Sequence, residues 1–323
     1  MSSLCFYITE YLGKNIKQPQ LDAITTACQE ASYDLKTNIS NQEILNSVAN
    51  ENDFFILSSG TDFQFFVTNA KEHLKHNFIL FPSDKELSLF EKHKEEMKEI
   101  RFLIGLLHNQ NLKIIIKHIL TFYKSSNETY IFNNYNLENV PSFMHVLSNS
   151  SERATIQTKV TEFFSEEMQK NNSHLVAGTS SYPKIFGDVV DEFLMNAIWD
   201  ACPTRNTIDR TQPVALPENE RIDLNCLFDG LNLVLTVSDK FGTFQSKGIT
   251  KYIRHALGFK ENEAVKEGTP GAGLGLFMIL QKIGILIFEV YQGKITRATI
   301  IARGDHSIRE VQKKPKTVLF FEK

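Results

Sequence analysis

The sequence predicts an α+β protein in which a small α/β region precedes a larger sandwich of helices on a mixed, mostly antiparallel sheet. Short apolar runs alternate with helix-like segments over residues 1–90, which is typical of a parallel α/β arrangement. Apolar residues then recur at spacings of three and four from Phe186 to Ile198, as on a helix with one buried face. Two alternating apolar runs around Asp229-Gly230 predict a β-hairpin. The 323 residues are enough for two domains.

Residues 1–90 are predicted to form a small α/β domain. Its expected strands are 4–8, 33–37, 54–57 and 78–81, and its expected helices are 20–31, 41–49 and 62–76. This order of elements resembles a response-regulator receiver domain. A receiver carries an acidic pair after its first strand and an aspartate after its third, whereas here Thr9-Glu10 follows the first strand and the third ends in Ser58. We therefore expect a degenerate receiver-like domain that serves interaction rather than phosphate acceptance.

Residues 91–150 are predicted to be a helical connector. Residues 84–123 have helical spacing throughout, and Ile100, Leu103 and Leu107 mark one apolar face. Such a face suits a connector or a pair of dimerisation helices, which leaves a homodimer open. Residues 124–150 are rich in Asn and Ser, and we expect them to be irregular.

Residues 151–323 contain the elements of the predicted sandwich. A helix is expected at 156–170, and Pro183 suits the first turn of the next helix. Residues 243–270 form a long polar segment that we expect to be a lid, with a short helical piece at 249–257. Further strands are expected at 285–291, 296–302 and 318–321.

Composition excludes several classes of partner. The net charge of −3 and the pI near 6.3 give no general attraction to nucleic acid or to an anionic membrane. The four cysteines form no C-x-x-C pair, so we expect reduced thiols rather than a zinc site or disulfides. No basic start precedes a long apolar run, and no stretch reaches the ~18 apolar residues of a membrane span. We therefore expect a cytoplasmic protein.

A first polar cluster lies on the predicted helix beside its apolar face. Four residues spaced by four share one line: Asp188, Glu192, Asn196 and Asp200. An amide next to carboxylates suits Mg²⁺, which takes oxygen ligands. Glu192, one turn before Asn196, is placed to act as a general base on a water or hydroxyl. The alternative is a solvated helix face.

A second candidate is Asp239, which is in phase with the inward residues of the second hairpin strand. A charge in phase with a core needs a partner or a role. Its carboxylate is able to accept a hydrogen bond from the exocyclic amine of adenine, N6. Gly242 would leave room for a flat base. The alternative is an aspartate that caps the turn at the strand's end.

The third candidate is the glycine cluster Gly271-Ala272-Gly273-Leu274-Gly275, which leads into an apolar stretch. Closely spaced glycines let backbone amides approach an anion, and a helix beginning there adds its free N–H groups. The cluster is neither a P-loop nor a Rossmann fingerprint, because it has no following Lys-Ser/Thr and no preceding strand. It predicts a phosphate site, with a generic glycine-rich turn as the alternative.

Together the three clusters resemble the motifs of the GHKL ATP-binding superfamily, also called the Bergerat fold. The segment 191–197 is similar to its Asn-bearing box, 237–242 to its Asp-Gly box, and 271–276 to its second glycine box. Thr296 is similar to the threonine that these proteins place near the adenine-binding aspartate. The match covers residues 155–305, and it implies a GHKL-type ATP-binding domain over 151–323.

The resemblance implies a role for each residue. Asn196 would hold Mg²⁺ and phosphate oxygens, Glu192 would be the general base, and Asp239 would bind adenine N6 with help from Thr296. Gly242 would adjoin the base. Four residues would let the lid and helix wrap the phosphates: Gly271, Gly273, Leu274 and Gly275.

Two functions from different classes remain. The C-terminal position of the ATP site resembles sensor histidine kinases and anti-sigma-factor serine kinases, but neither His108 nor His145 lies in an acceptor-histidine box. Phe241 stands where the family usually has glycine, which favours a regulator that binds nucleotide without catalysis. Glu192 and Asn196 favour a kinase. Either way the expected ligands are ATP and Mg²⁺, and the expected partner is a regulatory protein.

Overall fold

The computed structural model describes most of the chain in separate stretches. These are residues 4–47, 53–70, 77–82, 100–105, 109–135, 140–171, 175, 179–205, 208–245, 253, 279–280, 282–314 and 316–323. The chain divides into two compact units. Unit 1 comprises Met1–Leu137, Ser246–Lys260 and Thr317–Leu319, and unit 2 comprises Glu138–Gln245, Glu261–Lys316 and Phe320–Lys323.

Unit 1 is built on parallel strands with helices between them. Its strands are β1 (Cys5–Thr9), β2 (Asp34–Ile39), β3 (Phe54–Leu57), β4 (Phe78–Leu80) and β5 (Phe102–Leu103). Its helices are α1 (Glu10–Asn15), α2 (Gln18–Ala31), α3 (Asn41–Ser47), α4 (Gly60–Asn69) and α5 (Asn109–Phe122). The strand order is β2-β1-β3-β4-β5, with all four pairings parallel. This is the order of flavodoxin-like doubly wound sheets.

The core of unit 1 is dense in aromatic rings. All four residues of β3 are buried, as expected for a strand covered on both faces. Phe54 meets Phe102 edge-on at 6.2 Å between ring centroids. Helix α5 packs along α2, where Lys113 and Lys117 both pair with Glu30 at 2.6 and 2.8 Å.

Unit 2 is an antiparallel sheet with helices packed on it. Its strands are β6 (Ser142–Leu147), β7 (Ile222–Phe228), β8 (Asn232–Asp239), β9 (Ile285–Tyr291) and β10 (Ile295–Arg303), in the order β9-β10-β8-β7-β6. Its helices are α6 (Arg153–Lys170), α7 (Tyr182–Met195) and α8 (Ile308–Lys313). Helices α6 and α7 pack against each other, α6 also against β7, and α7 against β8.

The chain is therefore mixed α and β, with parallel strands in unit 1 and antiparallel strands in unit 2. Both predicted hairpins are confirmed, because their alternating residues pair in register across short glycine-containing turns. The final strand, β11 (Thr317–Glu322), is also confirmed. Its first residues pair antiparallel with β5 within unit 1, Val318 opposite Leu103.

Two predictions over residues 91–150 are wrong at the level of secondary structure. The helix expected through Ile100 and Leu103 is absent there, because residues 102–103 form the short buried strand β5. The expected irregular stretch contains β6, which pairs with β7 over six residues. The predicted boundaries at 90 and 150 also fall inside the compact units, since β5 and α5 belong to unit 1 and β6 to unit 2.

Candidate functional site

Helix α7 carries the first polar cluster and ends in an unusual turn. Pro183 lies in its first turn, and its apolar face is buried as predicted, from Phe186 to Leu194. The chain then continues as a π-helical turn over Asn196–Asp200, closed by the bond from the Ala201 N–H to the Asn196 carbonyl at 2.8 Å. Such π-bulges occur frequently at functional sites, because the wider turn redirects side chains.

Glu192 and Asn196 are neighbours in this turn. Burial raises the pKa of the half-buried Glu192 carboxyl, and the nearby charges of Asp191 and Asp200 raise it further. The side-chain amide of Asn196 donates to Glu192 and lowers the pKa, as does the charge of Arg210, but the net pKa stays raised. A carboxylate with a raised pKa is better suited to accept a proton near neutral pH than an ordinary surface glutamate.

The other two members of the predicted polar line are each paired with a basic side chain. Asp188 accepts from Lys184 and Gln157 at the exposed side of the helix, at 3.2 and 3.3 Å. Asp200 pairs with Arg210 at 2.5 Å. Asp188 lies on a solvated helix face, as the alternative interpretation expected. The candidate polar site on this helix therefore consists of Glu192 and Asn196.

Arg153 secures the same turn from helix α6. Its guanidinium donates from Nε and Nη2 to Asp191 Oδ1, at 3.0 and 2.7 Å. The guanidinium carbon also lies 5.3 Å from the centre of the Trp199 ring, which is buried in the π turn. One arginine thus contacts residues on both sides of Asn196.

Asp239 lies at the end of β8 and is 6 % exposed. Its Oδ1 accepts the N–H groups of Phe241 at 2.9 Å and Gly242 at 3.4 Å, so it caps the turn that follows. Burial raises the pKa of this carboxyl to about 6, despite the opposing backbone bonds from Phe241, Gly242 and Thr296. Asp239 therefore does cap the turn, as the alternative interpretation expected. It is at the same time a buried carboxylate, and the burial of its charge is costly.

Thr296 stands directly opposite Asp239, on the neighbouring strand β10. Its hydroxyl is near enough to the carboxylate to lower the carboxyl's pKa. The buried Thr296 Oγ1 nevertheless makes no well-formed hydrogen bond with any group in the described stretches. A buried carboxylate and a buried hydroxyl thus lie side by side at one end of the sheet.

Gly242 has a structural reason to be glycine. Its φ is +60°, and an added Cβ would lie 2.2 Å from the Tyr291 carbonyl oxygen and 2.8 Å from the Gly293 nitrogen. The space that its missing side chain leaves is taken by the β9–β10 turn, to which its carbonyl also bonds through the Gly293 N–H at 3.2 Å. On that side Gly242 therefore leaves no room for a base.

The segment after Asp239 returns to the end of α7. The hydroxyl of Thr243 donates to the carbonyl of Ala201 at 2.8 Å, directly after the π turn, and β8 itself packs on that turn. Phe244 then stacks on Phe288 with ring centroids 4.4 Å apart. The sequence elements that carry Asn196 and Asp239 are thereby brought together within unit 2.

The glycine cluster lies outside the described residues, as do Leu274 and nearly all of the predicted lid. Within the described stretches, no group of three or more His, Cys, Asp or Glu side chains is arranged to hold a metal ion. The helices described there include none with the length and apolarity required to cross a membrane.

Several residues of this site escaped sequence reasoning. Arg153 and Arg210 are far from Glu192 in sequence, and Thr243 lies in a polar stretch without periodicity. The π turn has no sequence signature that separates it from an ordinary helix end. Nothing in the sequence links Trp199 to Arg153.

Comparison with models of known protein families and with curated protein sequences finds no match to this chain.

Proposed function

We propose that unit 2 is an ATP-binding domain of the GHKL type with a Bergerat-like sandwich, and that it works as a signalling kinase. The observation that carries the proposal is that the elements bearing two polar pairs pack together. The π turn with Glu192 and Asn196 packs against the strand that ends at Asp239, beside Thr296. Two helices on one face of an antiparallel sheet, as seen in unit 2, support the same fold.

In this proposal Asp239 and Thr296 bind the adenine. The ionised carboxylate accepts a hydrogen bond from N6, and the Thr296 hydroxyl beside it bonds a ring nitrogen or a bridging water. Adenine would supply the partner that offsets the buried charge. Gly271, Gly273, Leu274 and Gly275 would then cradle the phosphates by their backbone amides.

Mg²⁺ would be held mainly by the nucleotide, because the described residues offer one amide rather than a cage of carboxylates. The side-chain oxygen of Asn196 is the protein ligand that fits. When bound, Mg²⁺ neutralises charge on the transferred phosphoryl group. Glu192, with its raised pKa and its bond from Asn196, would take the proton from the accepting hydroxyl.

Unit 1 would connect this kinase to a regulatory protein. Its strand order agrees with the receiver-like expectation, while Thr9 and Ser58 stand where acidic residues would be needed for phosphate acceptance. Thr9 Oγ1 instead donates to the buried Asp62 at 2.9 Å. We infer an interaction module that works in the cytoplasm.

A second candidate function is nucleotide-gated regulation without phosphoryl transfer. Phe241 favours it, because a half-buried ring follows the base-binding aspartate where the family usually has glycine. In that case nucleotide binding alone would set the affinity for a partner.

Thermal unfolding with and without Mg·ATP tests nucleotide binding. At ~100 times its Kd, ATP is expected to add about 2.7 kcal/mol of stability. Asp239→Asn should abolish the shift. Asp229→Asn is the matched control, because Asp229 Oδ1 accepts the N–H groups of Leu231 and Asn232 in the same kind of turn at the other end of β8. Equal loss in both variants, or no shift in the native chain, would refute ATP binding at Asp239.

Incubation with γ-labelled ATP separates the two candidate functions. The kinase proposal expects label on the chain or on an added partner, lost in Glu192→Gln and retained in Asp188→Asn one turn away. Binding with no turnover in any combination would favour the regulator.

A further inference from the structure

The loop that follows the π turn places an arginine beside the candidate polar site. Arg210 Nη2 donates to Asp200 Oδ1 at 2.5 Å, and Asp200 is the last residue of the π turn. Asn196 begins the same turn, and Glu192 lies one helical turn before it. The positive charge of Arg210 lowers the pKa of the Glu192 carboxyl. The guanidinium therefore lies within electrostatic range of the proposed general base.

Two other arginines near this turn are committed to the protein itself. Arg153 donates two hydrogen bonds to Asp191. Arg205 is buried, where it donates to the Ile198 carbonyl at 3.3 Å and pairs with Glu220. Both side chains thus hold the fold around the π turn, and a ligand could recruit them only by breaking those contacts.

Arg210 differs from these two arginines in its exposure and in its partners. Its side chain is 36 % exposed, and Asp200 is the one partner that it has among the described residues. Asp200 is itself 45 % exposed, and an ion pair between such exposed groups is weak because water screens it. A ligand with more negative charge than one carboxylate would therefore compete for this guanidinium.

The backbone at Arg210 is held by the neighbouring residues rather than by the Arg210 side chain. Asp209 Oδ1 accepts the Thr211 N–H at 2.9 Å and the Thr211 hydroxyl at 2.8 Å. The Gln212 N–H donates to the Asp209 carbonyl at 3.1 Å, which closes the turn. The guanidinium can therefore change partners while the turn that carries it stays in place.

We propose that Arg210 binds the γ-phosphate of ATP and leaves Asp200 to do so. This inference rests on the proposed function, and it adds a protein cation to the proposed site. The general base must adjoin the hydroxyl that attacks the γ-phosphorus, so a cation close to Glu192 is closer to the γ-phosphate than to the other two. A planar guanidinium bonds two phosphate oxygens at once and stabilises the charge that develops during phosphoryl transfer.

The alternative role for Arg210 is to steady the π turn through its ion pair with Asp200. The two roles predict different results for the two partners of that pair. If the ion pair itself matters, removal of either partner weakens ATP binding alike. If Arg210 binds phosphate, its loss weakens ATP binding. Loss of the Asp200 charge then releases the guanidinium and removes a group that repels phosphate.

Calorimetric titration of the full chain with Mg·ATP and with Mg·ADP tests the assignment. Arg210→Ala should weaken ATP binding at least about tenfold and change ADP binding less than about twofold, because a charge-assisted bond to the γ-phosphate is lost. Arg210→Lys keeps the charge without the planar donors and should lose less ATP affinity. Asp200→Asn should bind ATP at least as tightly as the native chain.

Arg309→Ala is the matched control and should change the affinity for neither nucleotide. Arg309 is an exposed arginine on α8, which follows β10, whereas Asp239 lies opposite Thr296 at the start of β10. The variants at 200, 210 and 309 should melt like the native chain without nucleotide, since none of the replaced side chains is buried.

The outcomes separate the role of Arg210 from the proposed function. A native chain that binds neither nucleotide overturns both. If the native chain binds ATP, the role of Arg210 alone is overturned when Arg210→Ala weakens ATP and ADP equally or leaves both unchanged. An equal loss of ATP affinity in Arg210→Ala and Asp200→Asn also overturns it, because the ion pair would then be what matters.

Discussion

Two aspartates, Asp229 and Asp239, cap similar turns at the two ends of β8, and they differ in burial. Asp229 is half-exposed, whereas Asp239 is nearly enclosed and its pKa is raised to about 6. The inward position of Asp239 could be predicted from its phase with Leu235 and Val237. The sequence also allows Asp239 to cap the turn. It cannot decide between the two roles, because the same side chain fills both.

The raised pKa predicts that Asp239 destabilises the protein without ligand. The folded state holds this proton more tightly than the unfolded state, so the cost is fully present above about pH 6 and fades as the pH falls toward about pH 4. Asp239→Asn should therefore be more stable than the native chain by about 1–3 kcal/mol near neutral pH, and no more stable in acid. Urea unfolding across this range measures it. Destabilisation by Asp239→Asn at every pH would contradict the assignment.

Gly242 and Gly293 allow the stability cost of steric contact to be measured separately from the cost of backbone conformation. Both have positive φ, +60° and +68°, but an added Cβ meets backbone only at Gly242. Gly293→Ala should cost about 1–2 kcal/mol from the left-handed conformation alone. Gly242→Ala should cost at least about 1 kcal/mol more, because the turn must move. Denaturant unfolding compares them, and equal costs would show that the turn yields freely.

At the scale of elements, the end of helix α7 is the feature that sequence periodicity describes least well. The buried apolar side chains from Phe186 to Leu194 were predicted, since they repeat at helical spacing. The π turn adds one residue to a turn without altering that pattern. The hydrogen bonds from Arg153 to Asp191 depend on how α6 and α7 pack. No local sequence pattern encodes that packing.

Removal of the Arg153 side chain should loosen the π turn. Arg153→Ala is expected to cost about 1 kcal/mol of stability, because it removes an ion pair and a cation over the Trp199 ring. It should also weaken Mg·ATP binding several-fold by releasing Asn196. Lys184→Ala is the control, since it removes an exposed pair with Asp188 on the same helix. Calorimetric titration of both variants gives the affinities, and equal values would exclude a positioning role for Arg153.

Strands β5 and β6 show why some elements escaped prediction. Strand β5 has two residues, too few for alternation to distinguish a strand from a helix. Strand β6 does alternate, but it exposes Met144 and Val146 instead of polar residues, and Asn- and Ser-rich sequence precedes it. The long hairpin β7–β8 was predicted because its alternation runs for seven and eight residues around a short turn.

On the scale of the whole molecule, the succession of an α/β region and a sandwich could be predicted, and the limits of the compact units could not. Unit 2 begins at Glu138 because β6 pairs with β7, a contact between residues far apart in sequence. The carboxyl-terminal strand contributes residues to both units, which no composition change along the chain reveals.

The position of β6 predicts how fragments behave. A fragment of residues 138–323 should retain the Mg·ATP-dependent rise in melting temperature. One of residues 151–323 should lose it, because the second fragment lacks the six-residue pairing of β6 with β7 and the buried Leu147. Circular dichroism melting of the two fragments is the measurement. Equal melting would place β6 outside the folded unit.

The chain contains a single tryptophan, and it lies in the π turn beside Asn196. Its indole is buried under the Arg153 guanidinium. Fluorescence excited at the red edge of the aromatic absorption band, where the nine tyrosines absorb little, therefore originates at one known turn, without any added dye or label. A titration followed by the colour and intensity of that emission would observe this turn alone.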